Sequence, residues 1–181
     1  MRPFRVEAPQ GVLVPVEELR QHVRVDTNEQ DSLIEAYERS AVDFLDGYTG
    51  RLGRCILRQK WALPLVANPE AMFLPFPDCR EFAIERLDGQ GAWAQVAGVT
   101  VTQMEDYALL VDLPSDQTGL HLTCWAGWKS ANDVPENLKQ AVRLLVAHWF
   151  DNRSAVSTGQ APHQVPMAVD AMIAPLVHVF V

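Results

Sequence analysis

Basic residues are in short supply in this chain: 15 Lys and Arg stand against 23 Asp and Glu, a formal net charge of -8 at pH 7. A broad phosphate-gripping surface needs the opposite balance, so sequence-specific nucleic-acid recognition through a basic face is excluded as the main activity. Cysteine is scarce too. Cys55, Cys79 and Cys124 are odd in number and lack paired spacing, which excludes a secreted disulfide framework and predicts reduced thiols. The sequence contains no stretch of about eighteen apolar residues that could span a bilayer. Met1-Arg2-Pro3-Phe4 lacks the apolar run of a signal peptide, so the chain is expected to be made in a bacterial-type cytoplasm with no membrane partner.

Catalytic signatures are missing as well. Gly47, Gly50 and Gly53 have neither the strand before them nor the lysine after them that a phosphate-binding loop requires. His121 and Cys124 are three apart on a strand, which puts them on opposite faces, and no second ligand pair accompanies them, so no metal site is expected. His148 and Asp151 are close enough on a helix to pair as base and orienting carboxylate, but no Ser or Cys stands in a strained nucleophile elbow. The expectation is a protein that is not an enzyme and carries no cofactor.

What is present is an ordinary globular balance, 48% hydrophobic and 21% charged over 181 residues, enough for one domain with a sizeable insertion. The best-organised stretch runs from Leu120 to Arg153. Leu120, Leu122, Cys124 and Ala126 alternate with His121, Thr123, Trp125 and Gly127, the period of a strand with two unlike faces. A polar turn follows. Asp133, Pro135 and Glu136 mark a helix start, after which Leu138, Ala141, Val142, Leu145, Val146 and Trp149 form one apolar stripe.

A second long helix is predicted over 28–49, opened by a Thr27–Gln30 capping box and carried by Leu33, Ile34, Tyr37, Ala41, Phe44, Leu45 and Tyr48. Glu29, Asp31, Glu35, Glu38, Asp43 and Asp46, against Arg39 alone, are assigned to its outer face. Short helices are expected over 15–24 and in the C-terminal segment 166–181, the latter with Ala168, Met172 and Ile173 on one side. Residues 1–14 read as an arm whose Val12–Val14 could add to a sheet edge. Short strands punctuated by Pro, Gly and Asp fill 54–126, including a hairpin turning at Asp88-Gly89. The Pro-rich stretch 66–80 reads as irregular, and 154–165 as a linker. The reading is an α+β fold: a small helical bundle of two long and two short helices, a single domain over 15–153 with an inserted antiparallel β-sheet region.

Several of these pieces, in their order, resemble a known family. Val14-Pro15-Val16-Glu17-Glu18-Leu19, the helix end Ala41, Phe44, Tyr48, Thr49, Gly50 and Arg51, then Val134-Pro135-Glu136, Leu138-Lys139-Gln140-Ala141 and His148-Trp149-Phe150 to Asn152-Arg153 are similar to the head-tail connector, or adaptor, proteins of long-tailed bacteriophages and gene transfer agents. The resemblance implies a structural virion protein in the particle neck. It implies a dodecameric ring that docks on the portal protein, extends the DNA channel and offers a platform to a head-completion (stopper) protein or tail. Double-stranded DNA would pass through the lumen without sequence-specific binding; the acidic face of Glu29, Glu35, Glu38, Asp43 and Asp46 reads either as a solvated helix face or as a lining of that channel. Stopper and tail terminator are neighbouring roles in the same particle.

The chain departs from the family at its end, where Leu176-Val177-His178-Val179-Phe180-Val181 is apolar. Trp149, Phe150 and Arg153, with Leu176, Val177, Val179, Phe180 and Val181, are expected to form subunit or portal contacts, the tail by strand addition to a neighbour; the alternative for the tail is folding back on its own sheet. The alternative reading starts from Trp125 and Trp128, which flank Gly127 and could stack on a sugar or a partner's proline, as in a sheet-borne carbohydrate- or receptor-binding module.

Overall fold

The computed structural model describes residues 2–65, 71–103, 107–111, 119–153 and 167–178. It is an α+β fold with two compact units, each assembled from two separate stretches of chain: a sheet unit of Met1–Gln10 with Arg58–Gly127, and a helical unit of Gly11–Leu57 with Trp128–Val181. The sheet is thus more than an insertion, because it also recruits the N-terminal arm.

In the sheet unit, strands β1 (Phe4–Glu7), β2 (Gln59–Pro64), β4 (Arg80–Leu87), β5 (Trp93–Gln95) and β8 (Leu120–Ala126) form a five-stranded sheet in the order β1-β2-β8-β4-β5. Strands β3 (Ala71–Phe73), β6 (Thr100–Gln103) and β7 (Tyr107–Val111) form a second sheet, ordered β3-β7-β6. Every pairing between these strands is antiparallel. The strand that joins the arm to the sheet is Phe4–Glu7, not the expected Val12–Val14, and β3 occupies part of the stretch expected to be irregular.

Strand β8 is the centre of the larger sheet. Leu120, Leu122, Cys124 and Ala126 point to one face, as their alternation predicts, and are buried; Thr123 is buried on the other. Trp61 of β2 lies on the same face as Cys124, its register partner, and meets Phe76 edge-on with ring centroids 5.0 Å apart. The predicted hairpin is present: β4 and β5 pair through Glu85–Gln95, Arg86–Ala94 and Leu87–Trp93. Its turn is fixed by Asp88, whose Oδ1 accepts the amides of Gln90 and Ala92, each at 2.8 Å. This is the side-chain mimicry that makes Asp a turn former.

In the helical unit, α1 (Val16–His22), α2 (Asp31–Leu45), α3 (Glu136–Asp151) and α4 (Met167–Ile173) surround one core. The stripe Leu138, Ala141, Val142, Leu145 and Val146 of α3 is the buried face, and it packs on Ile34, Ala41 and Leu45 of α2. On α4 the buried residues are Val169 and Ile173, so Ala168 does not share their side as expected. Arg143 of α3 is only 12% exposed and forks between Glu18 of α1 and Glu136, the latter at 2.7 Å, tying α1 to α3.

The helix ends differ from the sequence reading. Gln30 and Pro135 are the residues preceding α2 and α3, and neither helix start has a side-chain cap, so neither the Thr27–Gln30 box nor an Asp133 cap forms. Instead Asp133 lies in a short 3-10 turn whose own cap is Ser130, which accepts the Asn132 amide at 3.2 Å. Helix α2 stops at Leu45 because the chain folds back beneath it. The amides of Arg51 and Leu52 donate to the Phe44 and Leu45 carbonyls, each at 3.0 Å. Gly50 makes this possible, since a Cβ there would collide with the Asp46 carbonyl. The predicted linker 154–165 lies outside the described residues.

Candidate functional site

Among the described residues no cluster of three or more His, Cys, Asp or Glu side chains is arranged to hold a metal ion. The candidate functional features are surfaces. The first is the acidic face of α2, which the structure thins. Glu35 and Asp43 are exposed on α2, and Glu29 is exposed in the turn just before it. Glu38 and Asp46 are not on that face: they are 5% and 8% exposed and serve the interior.

The reason is helical phase. Ile34, Glu38, Ala41 and Leu45 recur at four- and three-residue steps, so Glu38 sits in the middle of the buried stripe. Its Oε1 accepts the backbone amides of Leu13 at 3.1 Å and Val14 at 3.3 Å, fastening the segment before α1. Asp46, just beyond α2, accepts the Ile56 amide through Oδ1 at 2.6 Å. Buried carboxylates that satisfy backbone donors are structural parts, and a sign-of-charge reading of the sequence cannot separate them from solvated ones.

Burial raises the Glu38 carboxyl above its ordinary value of 4.5, against the opposing pull of the Val14 and Leu13 amides and of Arg39, with Asp43 adding to the rise. The folded protein therefore holds this proton more tightly than the unfolded chain. The stability due to that uptake is complete below the unfolded pKa and is lost as pH rises through the raised folded value. Glu38→Gln keeps an acceptor oxygen but removes the titration. The melting temperature of the native protein minus that of Glu38→Gln is expected to fall between pH 4 and pH 7; a flat difference would show that burial does not perturb this group.

Next to Glu38 lies a groove of about 390 Å³ whose walls include Val12, Val14, Val16, Leu19 and Arg39. Val12 is 59% exposed beside it.

The second surface is the C-terminal end of α3. Trp149 is partly buried between Tyr37 and Phe44, each with ring centroids 6.4 Å away. Arg153 lies over the Phe150 ring at 4.5 Å, donates through Nε to the Phe150 carbonyl at 3.2 Å and reaches Gln30 Oε1 at 2.5 Å. Of the three predicted contact residues, Phe150 and Arg153 are brought together, with Arg153 and part of Phe150 open to solvent, whereas Trp149 packs inward on α2.

The third is the C-terminal segment. After α4 a 3-10 turn (Ala174–Leu176) places Leu176 against the helical core, and the His178 amide donates to the Leu52 carbonyl at 2.8 Å. Asp170 of α4 is paired with Arg51 at 2.7 Å. Leu176 thus contributes to its own unit, whereas Val177 is exposed. Val179, Phe180 and Val181 lie outside the described residues.

A fourth surface was not anticipated. Phe4 of β1, Trp93 of β5 and His121 of β8 form an aromatic trio on the outer face of the larger sheet, with Trp93 and Phe4 both edge-on to His121 at 5.0 and 5.7 Å. Twist brings the two edge strands' rings together over the central one. Alternation along each strand could have placed them on one face, but only the strand order makes them neighbours. The tryptophans singled out for stacking already have partners: Arg58 lies over Trp125 at 4.5 Å and Arg54 over Trp128 at 4.8 Å.

Comparison with known proteins agrees with this architecture. Residues 14–72 match the family model for the phage gp6-like head-tail connector protein. Among solved structures the chain is similar to one from the neck of an empty gene transfer agent particle, with 25% identity over 100% of this chain and 97% of the other and a TM-score of 0.73. It is similar in the same way to one from the virion of a native gene transfer agent particle, at 25% identity over 100% and 97% of the two chains and a TM-score of 0.72. A third, from the neck of a native particle computed with C12 symmetry, is 24% identical over 100% and 97% of the two chains, with a TM-score of 0.71. No curated protein sequence matches.

Proposed function

We infer that this chain, which matches the phage gp6-like head-tail connector model over residues 14–72 and is similar to a chain from a gene transfer agent neck, works in the particle neck as a ring that docks on the portal protein. The ring would extend the DNA channel and present a platform for head completion and tail attachment. The observation that carries the reading is the likeness, over 100% of this chain and 97% of the other, to a chain from a gene transfer agent neck. The C12 symmetry of a similar neck favours twelve copies. No chemistry is required of such a protein. Its work is association, in which weak contacts repeated round a closed ring become strong once a template holds the copies together. A net charge of -8 suits a lumen wall that repels phosphate and lets the duplex slide. Glu29, Glu35 and Asp43 are the members of the acidic face free to do so. The exposed parts of Phe150 and Arg153, and the tail from Val177 onward, are the proposed contacts with a neighbouring subunit or the portal.

Quantitative mass spectrometry of purified tailed particles tests this, comparing peptides of this chain with those of the portal protein. Near-equal copy numbers are expected. Absence of the chain from intact particles would overturn the connector reading. Truncation after His178 spares Leu176 and the His178–Leu52 hydrogen bond, so the truncated chain is expected to fold and yet to be lost from particles. Undiminished incorporation would remove Val179, Phe180 and Val181 from the contact set.

A further inference from the structure

Cys79 and Cys124 are 45 residues apart in sequence, yet their sulfurs are 2.9 Å apart inside the sheet unit. Both side chains are buried. The register explains the meeting. Arg80 pairs with Trp125, so Cys79, one residue before Arg80, faces the same side of the sheet as Ala126 and, diagonally, Cys124.

An irregularity tightens the diagonal. From Arg80 to Ala83 strand β4 takes three steps while β8 takes two, from Trp125 to Thr123, and Glu81 within that step has φ 55°. An extra residue of this kind bends its strand and increases the local twist. The two sulfurs need to approach by only about 0.9 Å to reach the ~2.05 Å of a covalent bond.

We propose that Cys79 and Cys124 are a disulfide-forming pair, oxidised by a small-molecule disulfide such as oxidised glutathione. One cysteine loses its proton, and its thiolate attacks a sulfur of the oxidant, expelling one small thiolate and leaving a mixed disulfide. The second cysteine, deprotonated in turn, attacks the protein sulfur of that intermediate and expels the other small thiol. Two protein thiols are oxidised and one small disulfide is reduced to two thiols. The hydrogen bond with the Cys124 sulfur, and after it burial, push the Cys79 thiol pKa up, so attack proceeds when the start of β4 opens at its irregular step rather than from the closed sheet. The bond would tie that strand end to the central strand whether or not the hydrogen bonds between them are made. This chemistry does not rest on the connector reading.

The test uses the full chain, purified in reductant and exchanged into oxidised glutathione, then alkylated in denaturant and mapped by peptide mass. A second arm refolds the chain from denaturant in a glutathione redox buffer, which removes any dependence on access to the folded sheet. The expected result is a peptide joining Cys79 to Cys124 in at least the second arm, with Cys55 the one thiol still alkylated, and no such crosslink in Cys79→Ala. All three cysteines alkylated in both arms, a bond that includes Cys55, or glutathione left on Cys79 or Cys124 without an internal bond would overturn the proposal.

Discussion

Leu145→Ala is expected to lower the free energy of unfolding by about 3–4 kcal/mol, because it removes a fully enclosed side chain where α3 packs against α2. The loss has two parts, the transfer energy of the deleted methyl groups and the cavity left behind. Ile34, Ala41 and Leu45 come from a helix that Gly50 and the folded-back segment after it hold in place, so collapse into the void is limited. For a chain of this length the change corresponds to a drop in melting temperature of roughly 10 °C, which circular dichroism would follow. The decrease belongs to the helical unit. A loss under about 1 kcal/mol would mean that the α2–α3 seam relaxes freely.

Asp46→Ala is the second large effect, at about 2–3 kcal/mol. Here no cavity of consequence forms; the cost is polar. The Ile56 amide, which now donates to Asp46 Oδ1 at 2.6 Å, lies among buried residues and would be left without that acceptor. Asp46→Asn retains an acceptor oxygen and is expected to lose about 1 kcal/mol. Equal losses in the two variants, measured by chemical denaturation, would show that the charge rather than the hydrogen bond holds the segment after α2.

Legibility in the sequence followed the strength of the local signal. The apolar stripe of α3, the alternation of β8 and the Asp88 hairpin are each written within a few adjacent residues, and each is where the pattern puts it. Helix caps were over-read. Thr27 with Gln30, and Asp133 ahead of Pro135, have the right chemistry in the right order, but the chain caps a 3-10 turn with Ser130 instead and leaves both helix starts without a side-chain acceptor.

The buried acids show the other limit. Glu38 stands four residues after Ile34 and three before Ala41, so phase alone could have moved it inside. Asp46 had no such signal, because its partner depends on how the loop returns to Ile56. Long-range meetings were invisible: Phe4 with His121, and Cys79 with Cys124, follow from strand order and register rather than spacing. Of the residues proposed for assembly, Trp149 could be placed from spacing alone, because it continues the α3 stripe and packs against the core. For the tail, composition flagged apolar residues but could not show that Leu176 belongs to its own core.

The interleaving of the two units has a consequence for synthesis on the ribosome. The sheet unit is complete once Gly127 has emerged, whereas the helical unit, although it begins earlier at Gly11, needs α3 from the far end of the chain. During the intervening translation the apolar side of α2, with Ile34, Ala41 and Leu45, has no α3 to cover it. That interval is when a nascent chain is exposed to holding chaperones and to premature association with its siblings. Stalled chains ending shortly after Gly127 should therefore present a finished sheet beside an unsatisfied helix, and the last fifty or so residues act as the lid on a core whose other half was made first.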